Sequence, residues 1–200
     1  MNDIQEAIDP VVSAFEKLSI PYYIGGSIAS SAFGVPRATL DVDLVAIIMQ
    51  RQVTPLADYL QDKYYLDPDQ IILAVKNKSS FNLIHLASMI KVDVFIMKDR
   101  EYDLESFSRI KSDTLMEGDS RKYFFAAPED IILNKLEWFH LGGEISDRQW
   151  GDILGVIRVQ GESLDTKYLR SWAKKLVLTD LLEKALSQID FPLSPINNFR

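Results

Sequence analysis

Two short motifs near the N-terminus contain the residue types that phosphate and metal chemistry requires. The first is the segment Gly25–Ser27, and the second is Asp41–Asp43, which begins fourteen residues after Ser27. A glycine pair at the start of a helix can hold a triphosphate, because the backbone approaches it closely and the helix amides attract its charge. Two aspartates on one strand can hold the cation that such a phosphate carries. The two motifs therefore predict a single site.

The glycine motif lies between a predicted strand and a predicted helix. The apolar run Tyr22–Ile24 suits a short buried strand. Gly25 and Gly26 allow the chain to turn sharply, Ser27 is the predicted N-cap, and the helix is predicted to end near Gly34. The first turn has no acidic side chain, so the positive end of the helix stays available to a phosphate. The alternative interpretation is a strand-turn-helix corner that binds no ligand.

Asp41 and Asp43 begin a second predicted strand. Leu44–Met49 continues as an apolar run, so the acids lie at the opening of a buried strand. Side chains alternate along a strand, which places both carboxylates on one face. They repel each other unless a cation lies between them. Mg²⁺ is the natural candidate, because it binds one or two carboxylates together with substrate phosphates. The alternative is a solvated Asp-x-Asp pair at a strand end.

A third aspartate lies within the alternating strand predicted over Ile90–Met97. Lys91, Asp93 and Phe95 face one side of this strand, and β-branched residues face the other. Asp is depleted in strands, so Asp93 requires an explanation. It is either a charge that protects an edge strand from aggregation or a member of the same site as the Asp-x-Asp pair. In that site it would be the base for an acceptor hydroxyl or a ligand of a second metal ion.

These motifs resemble the nucleotidyltransferase superfamily, which includes DNA polymerase β. The shared pattern is a Gly-Gly-Ser helix start, a downstream Asp-x-Asp and a third Asp on a later strand. The local form Arg37–Leu44 is similar to antibiotic and tRNA nucleotidyltransferases and to the AbiEii-type toxin group. The segments Ala127–Leu136 and Asp147–Leu154 also resemble that toxin group. The superfamily motifs lie within residues 22–97, and the toxin-like features extend the resemblance toward the C-terminus.

The resemblance implies an enzyme that transfers a nucleoside monophosphate from an NTP to an acceptor hydroxyl and releases pyrophosphate. Mg²⁺ is the implied cofactor, as one ion or two. The implied nucleotide-binding residues in this part of the chain are Gly25, Gly26, Ser27 and Arg37. The implied metal ligands, which are also the implied catalytic carboxylates, are Asp41, Asp43 and Asp93. Asp93 would in addition activate the acceptor.

Two residues of the toxin-like segments complete the implied site. Lys135 would be catalytic, and Asp152 would bind the nucleotide. Each has an ordinary alternative, because Lys135 also suits a solvated helix face and Asp152 suits an i,i+4 surface pair with Arg148. Arg37 either binds phosphate or pairs with Asp41.

The composition is that of an ordinary acidic globular protein. The 200 residues are 47% hydrophobic and 26% charged, with a net charge of −7 and no cysteine. A dedicated nucleic-acid binder usually carries a basic face, although a local positive groove suffices for RNA. No apolar run reaches the length of a membrane span, and no signal-like segment is present. We therefore expect a cytoplasmic protein without disulfides that does not bind membranes.

The pattern along the chain predicts an α/β (α+β) fold. It consists of a mixed sheet with flanking helices, of the nucleotidyltransferase type that the resemblance implies, followed by a C-terminal helical bundle. We expect a catalytic domain over residues 1–126 and a helical domain over residues 127–200. The predicted helices of the first domain, besides the one after the glycine motif, are at 3–18, 52–64, 68–75 and 102–110. Its later strands are predicted at 81–86, 90–97 and 122–126, the first two as a hairpin.

Beyond Pro128 the sequence predicts helices only. Ser146 carries a capping box, and Gly161 is the predicted end of the helix that it begins. Two more helices are predicted at 165–177 and 180–189, followed by an irregular tail at 191–200.

Two classes of function are consistent with these features. The first is an Mg²⁺-dependent nucleotidyltransferase whose acceptor is a tRNA end, a protein side chain or a small hydroxylated molecule. If it is toxin-like, we expect an antitoxin partner. The second is a catalytically inactive module that keeps the fold and holds a nucleotide or a partner. An inactive member would be expected to lose a carboxylate, whereas this chain keeps all three, which favours activity.

Overall fold

The computed structural model describes residues 2–115 and 118–189, and the chain divides into two compact units. The first unit holds the residues before Phe33 together with Pro36–Ala127, and the second holds Phe33–Val35 together with the residues after Ala127. The domain boundary expected after residue 126 stays a prediction. The irregular tail predicted at 191–200 lies outside the described residues.

The first unit contains a sheet and the helices that flank it. In chain order, the helices are α1 (Asn2–Lys17), α2 (Gly26–Phe33), α3 (Val53–Leu60), α4 (Pro68–Asn77) and α5 (Glu101–Ser108). The strands are β1 (Tyr22–Ile24), β2 (Asp41–Ala46), β3 (Tyr64–Tyr65), β4 (Ser80–His85), β5 (Lys91–Ile96), β6 (Lys111–Asp113) and β7 (Tyr123–Phe125).

The seven strands form one mixed sheet in the order β3-β4-β5-β2-β1-β7-β6. The pairs β1–β7 and β2–β5 are parallel, and the other neighbours are antiparallel. The predicted mixed α/β fold is therefore confirmed, as is the predicted hairpin of β4 and β5. Because β5 lies between β4 and β2, the edge-strand explanation for Asp93 is wrong.

One face of the sheet centre is fully buried. The inward residues of β2 and β5 are at most 4% exposed, and they are Val42, Leu44, Ala46, Val92, Val94 and Ile96. Helix α1 contributes the buried residues Ile8, Val11, Val12 and Phe15 to the core of this unit, as its apolar stripe predicts. Alternation along the strands then turns Asp41, Asp43 and Asp93 to the opposite face.

The region after β2 differs from the sequence prediction. A single helix was expected over 52–64, whereas α3 ends at Leu60 and Tyr64 begins the short strand β3. The Tyr64 hydroxyl donates a 2.7 Å hydrogen bond to the Ala7 carbonyl, and the Tyr64 backbone pairs with His85. These contacts across the fold outweigh local helical preference. Strand β6 was not predicted, because its exposed residues show no apolar alternation.

In the described residues of the second unit after Ala127, all the regular secondary structure is helical, as predicted. Its helices are α6 (Pro128–Leu141), α7 (Asp147–Gln160), α8 (Thr166–Lys175) and α9 (Thr179–Ser187), with a short 3-10 turn at Gly161–Ser163. The Ser146 hydroxyl accepts a 3.3 Å hydrogen bond from the Gln149 amide, which confirms the predicted cap of α7. Gly161 ends that helix with a φ of 50°. Within the described residues, no helix is long and apolar enough to cross a membrane.

Candidate functional site

The glycine motif joins β1 to α2 directly beside the strand that carries the aspartates. The Gly25 amide donates a 2.9 Å hydrogen bond to the Asp43 carbonyl and so extends the β1–β2 ladder by one residue. The Gly25 carbonyl then accepts from the Ala29 amide at 3.1 Å. Gly25 therefore caps α2, and the prediction that Ser27 is the N-cap is wrong. The ladder holds the chain against β2 until Gly25, so the helix begins at Gly26, two residues earlier than expected.

Gly26 is the position where the backbone requires glycine. Its φ is +54°, in the left-handed region that residues with a side chain rarely adopt. A Cβ placed on Gly26 would lie 2.8 Å from the Asp43 Cβ and would overlap the Asp43 carboxylate. The start of α2 and the Asp43 carboxylate are thus in contact. The first turn of α2 carries no acidic residue, as the sequence predicts.

The three aspartates occupy neighbouring positions on the open face of the sheet. Asp43 and Asp93 are register partners in the parallel pair β2–β5, where adjacent strands lie about 4.8 Å apart. Asp41 lies two residues before Asp43 on the same face and is exposed, whereas Asp43 and Asp93 are partly buried. The structure therefore brings together the three carboxylates that sequence spacing had only suggested.

Lys91 supplies a positive charge within this group. It is the register partner of Asp41, and its ammonium contacts the Asp93 carboxylate at 2.7 Å. The hydrogen bond to Asp93 is the largest cause that raises the pKa of Lys91, and the charges of Asp93, Asp41 and Asp43 raise it further. All three carboxylates therefore act electrostatically on one cationic position.

Sequence reasoning placed Lys91 on the same face as Asp93 but gave it no role. It also missed Asn82, an exposed β4 residue that is the register partner of Asp93. The alternation within each strand was visible in the sequence. The register between strands, which makes these residues neighbours, was not.

The donor chemistry of this face fits a magnesium ion that arrives with phosphate. Among the residues that the structure describes, no group of three or more acidic or histidine side chains is arranged to hold a metal ion. Mg²⁺ does not need such a cage, because it is usually held by one or two carboxylates and completed by phosphate oxygens and water. Asp41 and Asp43 provide the carboxylates, with Asp93 beside them as a third, and the Lys91 ammonium in contact with Asp93 indicates that the cluster stabilises positive charge.

Arg37 lies at the first turn of α2. Its guanidinium donates a 2.6 Å hydrogen bond to the Ser27 hydroxyl and a 3.2 Å bond to the Ala38 carbonyl. The Ser31 hydroxyl contacts the Arg37 backbone at 3.4 Å, which folds the loop after α2 back onto the helix. A positive side chain therefore adds to the positive end of α2, where an anion would be attracted.

Lys135 and Asp152 form a buried ion pair in the second unit. The Lys135 ammonium lies 2.8 Å from the Asp152 carboxylate, and the side chains are only 10% and 5% exposed. The ordinary alternative for Lys135, a solvated helix face, is therefore wrong, and the Asp152 side chain is buried rather than at the surface. The structure therefore joins two residues that the sequence analysis had singled out separately, while a role for them in nucleotide chemistry stays a prediction.

Comparison with known proteins agrees with this architecture. No protein-family model matches the sequence, and no curated protein matches it. The fold is similar to the solution structure of the antibiotic-resistance factor ANT(2'')-Ia, with a TM-score of 0.56 and 16% identity over 95% of this chain and 97% of that chain. A crystal structure of ANT(2")-Ia in complex with adenylyl-2"-tobramycin gives 0.52 and 15% identity over 90% and 97% of the two chains.

A third solved structure also has a similar fold. It is an antigenic nucleotidyltransferase-like protein from Paracoccidioides brasiliensis, with a TM-score of 0.50 and 20% identity over 88% of this chain and 89% of that chain. These similarities show that the chain has the nucleotidyltransferase fold. The fold predicted from the Gly-Gly-Ser and Asp-x-Asp motifs is therefore confirmed.

Proposed function

We propose that this protein transfers a nucleoside monophosphate from an NTP to a hydroxyl group of an acceptor and releases pyrophosphate. One observation carries the proposal: the glycine start of α2 touches the Asp43 carboxylate, and Asp43 lies beside Asp93 on the next strand. This arrangement joins a phosphate-binding helix start to a carboxylate pair on an open face. The nucleotidyltransferase fold supports the same chemistry.

The nucleotide would be held by the start of α2 and the adjacent carboxylates. Backbone amides at Gly26 and Ser27 offer hydrogen bonds to phosphate oxygens, and Arg37 adds positive charge to the same turn. Asp41 and Asp43 would hold Mg²⁺, with Asp93 as a further ligand if a second ion binds. When bound, the metal would neutralise developing charge on the leaving phosphates and polarise the α-phosphorus.

Asp93 is the residue proposed to act on the acceptor. Its carboxylate would accept the proton of the acceptor hydroxyl as the hydroxyl oxygen bonds to the α-phosphorus. In the same step, the bond between the α-phosphorus and the oxygen that joins it to the β-phosphate breaks, and pyrophosphate leaves. Asn82, the β4 register partner of Asp93, would help to orient the acceptor, since it lies on the side of Asp93 away from Asp43.

Lys135 and Asp152 are proposed as further members of the site, Lys135 as a catalytic residue and Asp152 as a nucleotide contact. The support is the resemblance of their segments to the AbiEii-type toxin group. The two side chains contact each other within the helical unit, so a substitution of one also changes the surroundings of the other. Their role therefore has to be separated experimentally from their contribution to stability.

The acceptor is proposed to be a small hydroxylated molecule, with a tRNA end or a protein side chain as alternatives. Two structures with the same fold are of an antibiotic-resistance factor, one of them in complex with adenylyl-2"-tobramycin, which makes a small molecule the first acceptor to test. A toxin with an antitoxin partner is supported only by the resemblance of Arg37–Leu44 and of the α6 and α7 segments to the AbiEii-type toxin group. A cytoplasmic location suits a reaction that consumes NTPs.

The second candidate is an inactive module that binds a nucleotide or a partner. The observation that favours it is the ion pair of Asp93 with Lys91, because a carboxylate held by an internal ammonium is less available as a base. The two candidates differ in one outcome. An inactive module binds an NTP without forming pyrophosphate, and an enzyme releases pyrophosphate when its acceptor is present.

The test is transfer of radioactive label. The full chain is incubated with each α-labelled NTP, Mg²⁺ and a bacterial extract, and the label is sorted into RNA, protein and small-molecule fractions. We expect label in one fraction, lost with Asp43→Asn and kept with Asp58→Asn, which removes the same charge from the exposed face of α3. Equal labelling by Asp43→Asn and the unchanged protein would overturn the proposal.

A further inference from the structure

The ammonium of Lys91 occupies a special position among the three carboxylates. Lys91 lies on β5 two residues before Asp93, and it is the register partner of Asp41 across the β2–β5 pair. Its side chain is 45% exposed and could extend into water, yet its ammonium lies 2.7 Å from the Asp93 carboxylate. A long solvated lysine loses side-chain entropy in such a geometry, so the local negative charge must compensate for that loss.

That negative charge comes from all three aspartates. Asp41, Asp43 and Asp93 share one face of two adjacent strands, where like charges repel unless a cation lies among them. Lys91 is the register partner of Asp41, and Asp43 is the register partner of Asp93, which Lys91 contacts. The Lys91 ammonium therefore reduces the repulsion among these carboxylates, as a bound cation would.

We propose that Lys91 is a positioning residue that holds Asp93 while the site has no divalent cation and must release it before that cation binds. The inference rests on the proposed function, because it assumes that Asp93 and its neighbours form a metal-dependent nucleotide site. Lys91 and a divalent cation then compete for the negative charge of the same three carboxylates. The competition makes a free cation bind weakly, and it favours a cation that arrives together with the negative charge of a nucleotide.

A second consequence concerns the nucleotide. The γ- and β-phosphates bring negative charge that can receive the Lys91 ammonium once it leaves Asp93. The lysine would thus exchange an internal partner for a substrate partner when the site fills. Occupation of the site by metal and by nucleotide becomes coupled through one flexible side chain.

The test measures binding of Mn²⁺, a spectroscopic substitute for Mg²⁺, to the nucleotide-free full chain at low ionic strength, where charge effects are least screened. Lys91→Met removes the competing charge, so we expect Mn²⁺ to bind about fivefold more tightly or better. Lys91→Arg keeps the charge and should stay within about twofold of the unchanged protein. Lys76→Met on α4 is the matched control, because it removes the same charge from an exposed position outside the β2–β5 pair.

Three outcomes decide the inference. Tighter binding by Lys91→Met, with Lys91→Arg and Lys76→Met unchanged, supports it. Equal or weaker binding by Lys91→Met overturns it, and so does an equal gain by Lys76→Met, which would reveal an effect of net charge alone. Lys91→Gln provides the same comparison if the methionine variant is poorly folded, as judged by its unfolding temperature.

The experiment also separates this inference from the proposed function. If the unchanged protein and Lys91→Met bind Mn²⁺ equally, and Asp43→Asn abolishes binding in both, the metal site stands and only the role of Lys91 is wrong. If no variant binds Mn²⁺ either alone or with any NTP, the metal site itself is absent, and both the proposed function and the inference fail.

Discussion

Two lysine–aspartate ion pairs with nearly equal distances between nitrogen and oxygen lie in different surroundings in this protein. Lys91 and Asp93 are 2.7 Å apart on the open face of the sheet, and Lys135 and Asp152 are 2.8 Å apart between α6 and α7. The first pair is partly exposed, whereas the second is almost completely buried. The same two residue types are therefore suited to different tasks.

Burial determines how readily each pair can exchange its partner. In the sheet pair, water and ions reach the carboxylate, so a competing cation can replace the lysine at little cost. In the helix pair, separation leaves a charge in a medium of low dielectric constant, which is strongly unfavourable. We conclude that the sheet face suits reversible ligand exchange, while the buried pair fixes the geometry of the helices that contain it.

The sharpest test of this contrast is Asp93→Asn. We expect transfer activity to fall by at least about a thousandfold, because the proton acceptor and a candidate metal ligand are both lost. Stability should change by less than about 1 kcal/mol, because the ion pair that disappears is partly exposed. Transfer rate and urea unfolding measured on the same preparation check both expectations. Near-normal transfer would remove Asp93 from the site.

The next largest effect is expected from Lys135→Met. This change leaves the Asp152 carboxylate buried without its ammonium partner, so we expect a loss of about 3–5 kcal/mol in the free energy of unfolding. The double variant Lys135→Met/Asp152→Leu should recover most of that loss, because it removes both charges. Urea unfolding of both variants provides the measurement.

The double variant also separates catalysis from stability. If it is stable but transfers no label, Lys135 or Asp152 acts in the reaction, as proposed. If it is stable and transfers at the normal rate, the pair only supports the helical unit, and both residues leave the proposed site.

A smaller effect is expected from Gly26→Ala, at the position where the glycine motif contacts the Asp-x-Asp motif. The added Cβ would overlap the Asp43 carboxylate at a backbone angle that disfavours alanine, so we expect a loss of roughly 1–3 kcal/mol. The matched control is Gly151→Ala in α7, where a Cβ meets no atom within 4 Å. That change should stabilise the protein by about 0.5–1 kcal/mol. Equal effects of the two changes on stability and on NTP binding would contradict the close contact of Gly26 with Asp43.

The smallest effect is expected from Arg170→Gln. Arg170 contacts Glu183 through two hydrogen bonds of 2.7 and 3.1 Å, and both side chains are well exposed. We expect only a small loss of stability, well below that of Lys135→Met, and salt should reduce it further. This pair lies in the same helical unit as Lys135 and Asp152, so the comparison isolates burial as the cause. A loss as large as that of Lys135→Met would contradict this explanation.

The sequence was sufficient to predict which residues share the sheet face, but not how they contact one another. The spacing of Asp41 and Asp43 was sufficient to place both on one strand face, because side chains alternate with a fixed period. The contact between Gly26 and Asp43 could not be predicted, since it depends on how far the β1–β2 ladder extends. The same limit explains why Ser27 was wrongly predicted as the N-cap of α2.

Interactions between distant segments account for the remaining differences. Tyr64 joins a strand instead of a helix because its hydroxyl reaches the Ala7 carbonyl, a partner far away in the sequence. The pairing of Lys135 with Asp152 could not be read from either helix alone, because helical periodicity identifies a face but not its neighbour. The approximate positions of most helices and strands could therefore be predicted from the sequence. The register between strands and the partners of buried side chains depend on the fold.

The most direct test of the account is the binding of each NTP to the full chain by calorimetry, with Mg²⁺ and with EDTA. We predict that at least one NTP binds in Mg²⁺, that EDTA weakens its binding by about tenfold or more, and that Asp43→Asn does the same while Asp58→Asn does not. This result would identify the sheet face as a metal-dependent nucleotide site. Binding that is equally tight in EDTA or in Asp43→Asn, or no binding of any NTP, would contradict it.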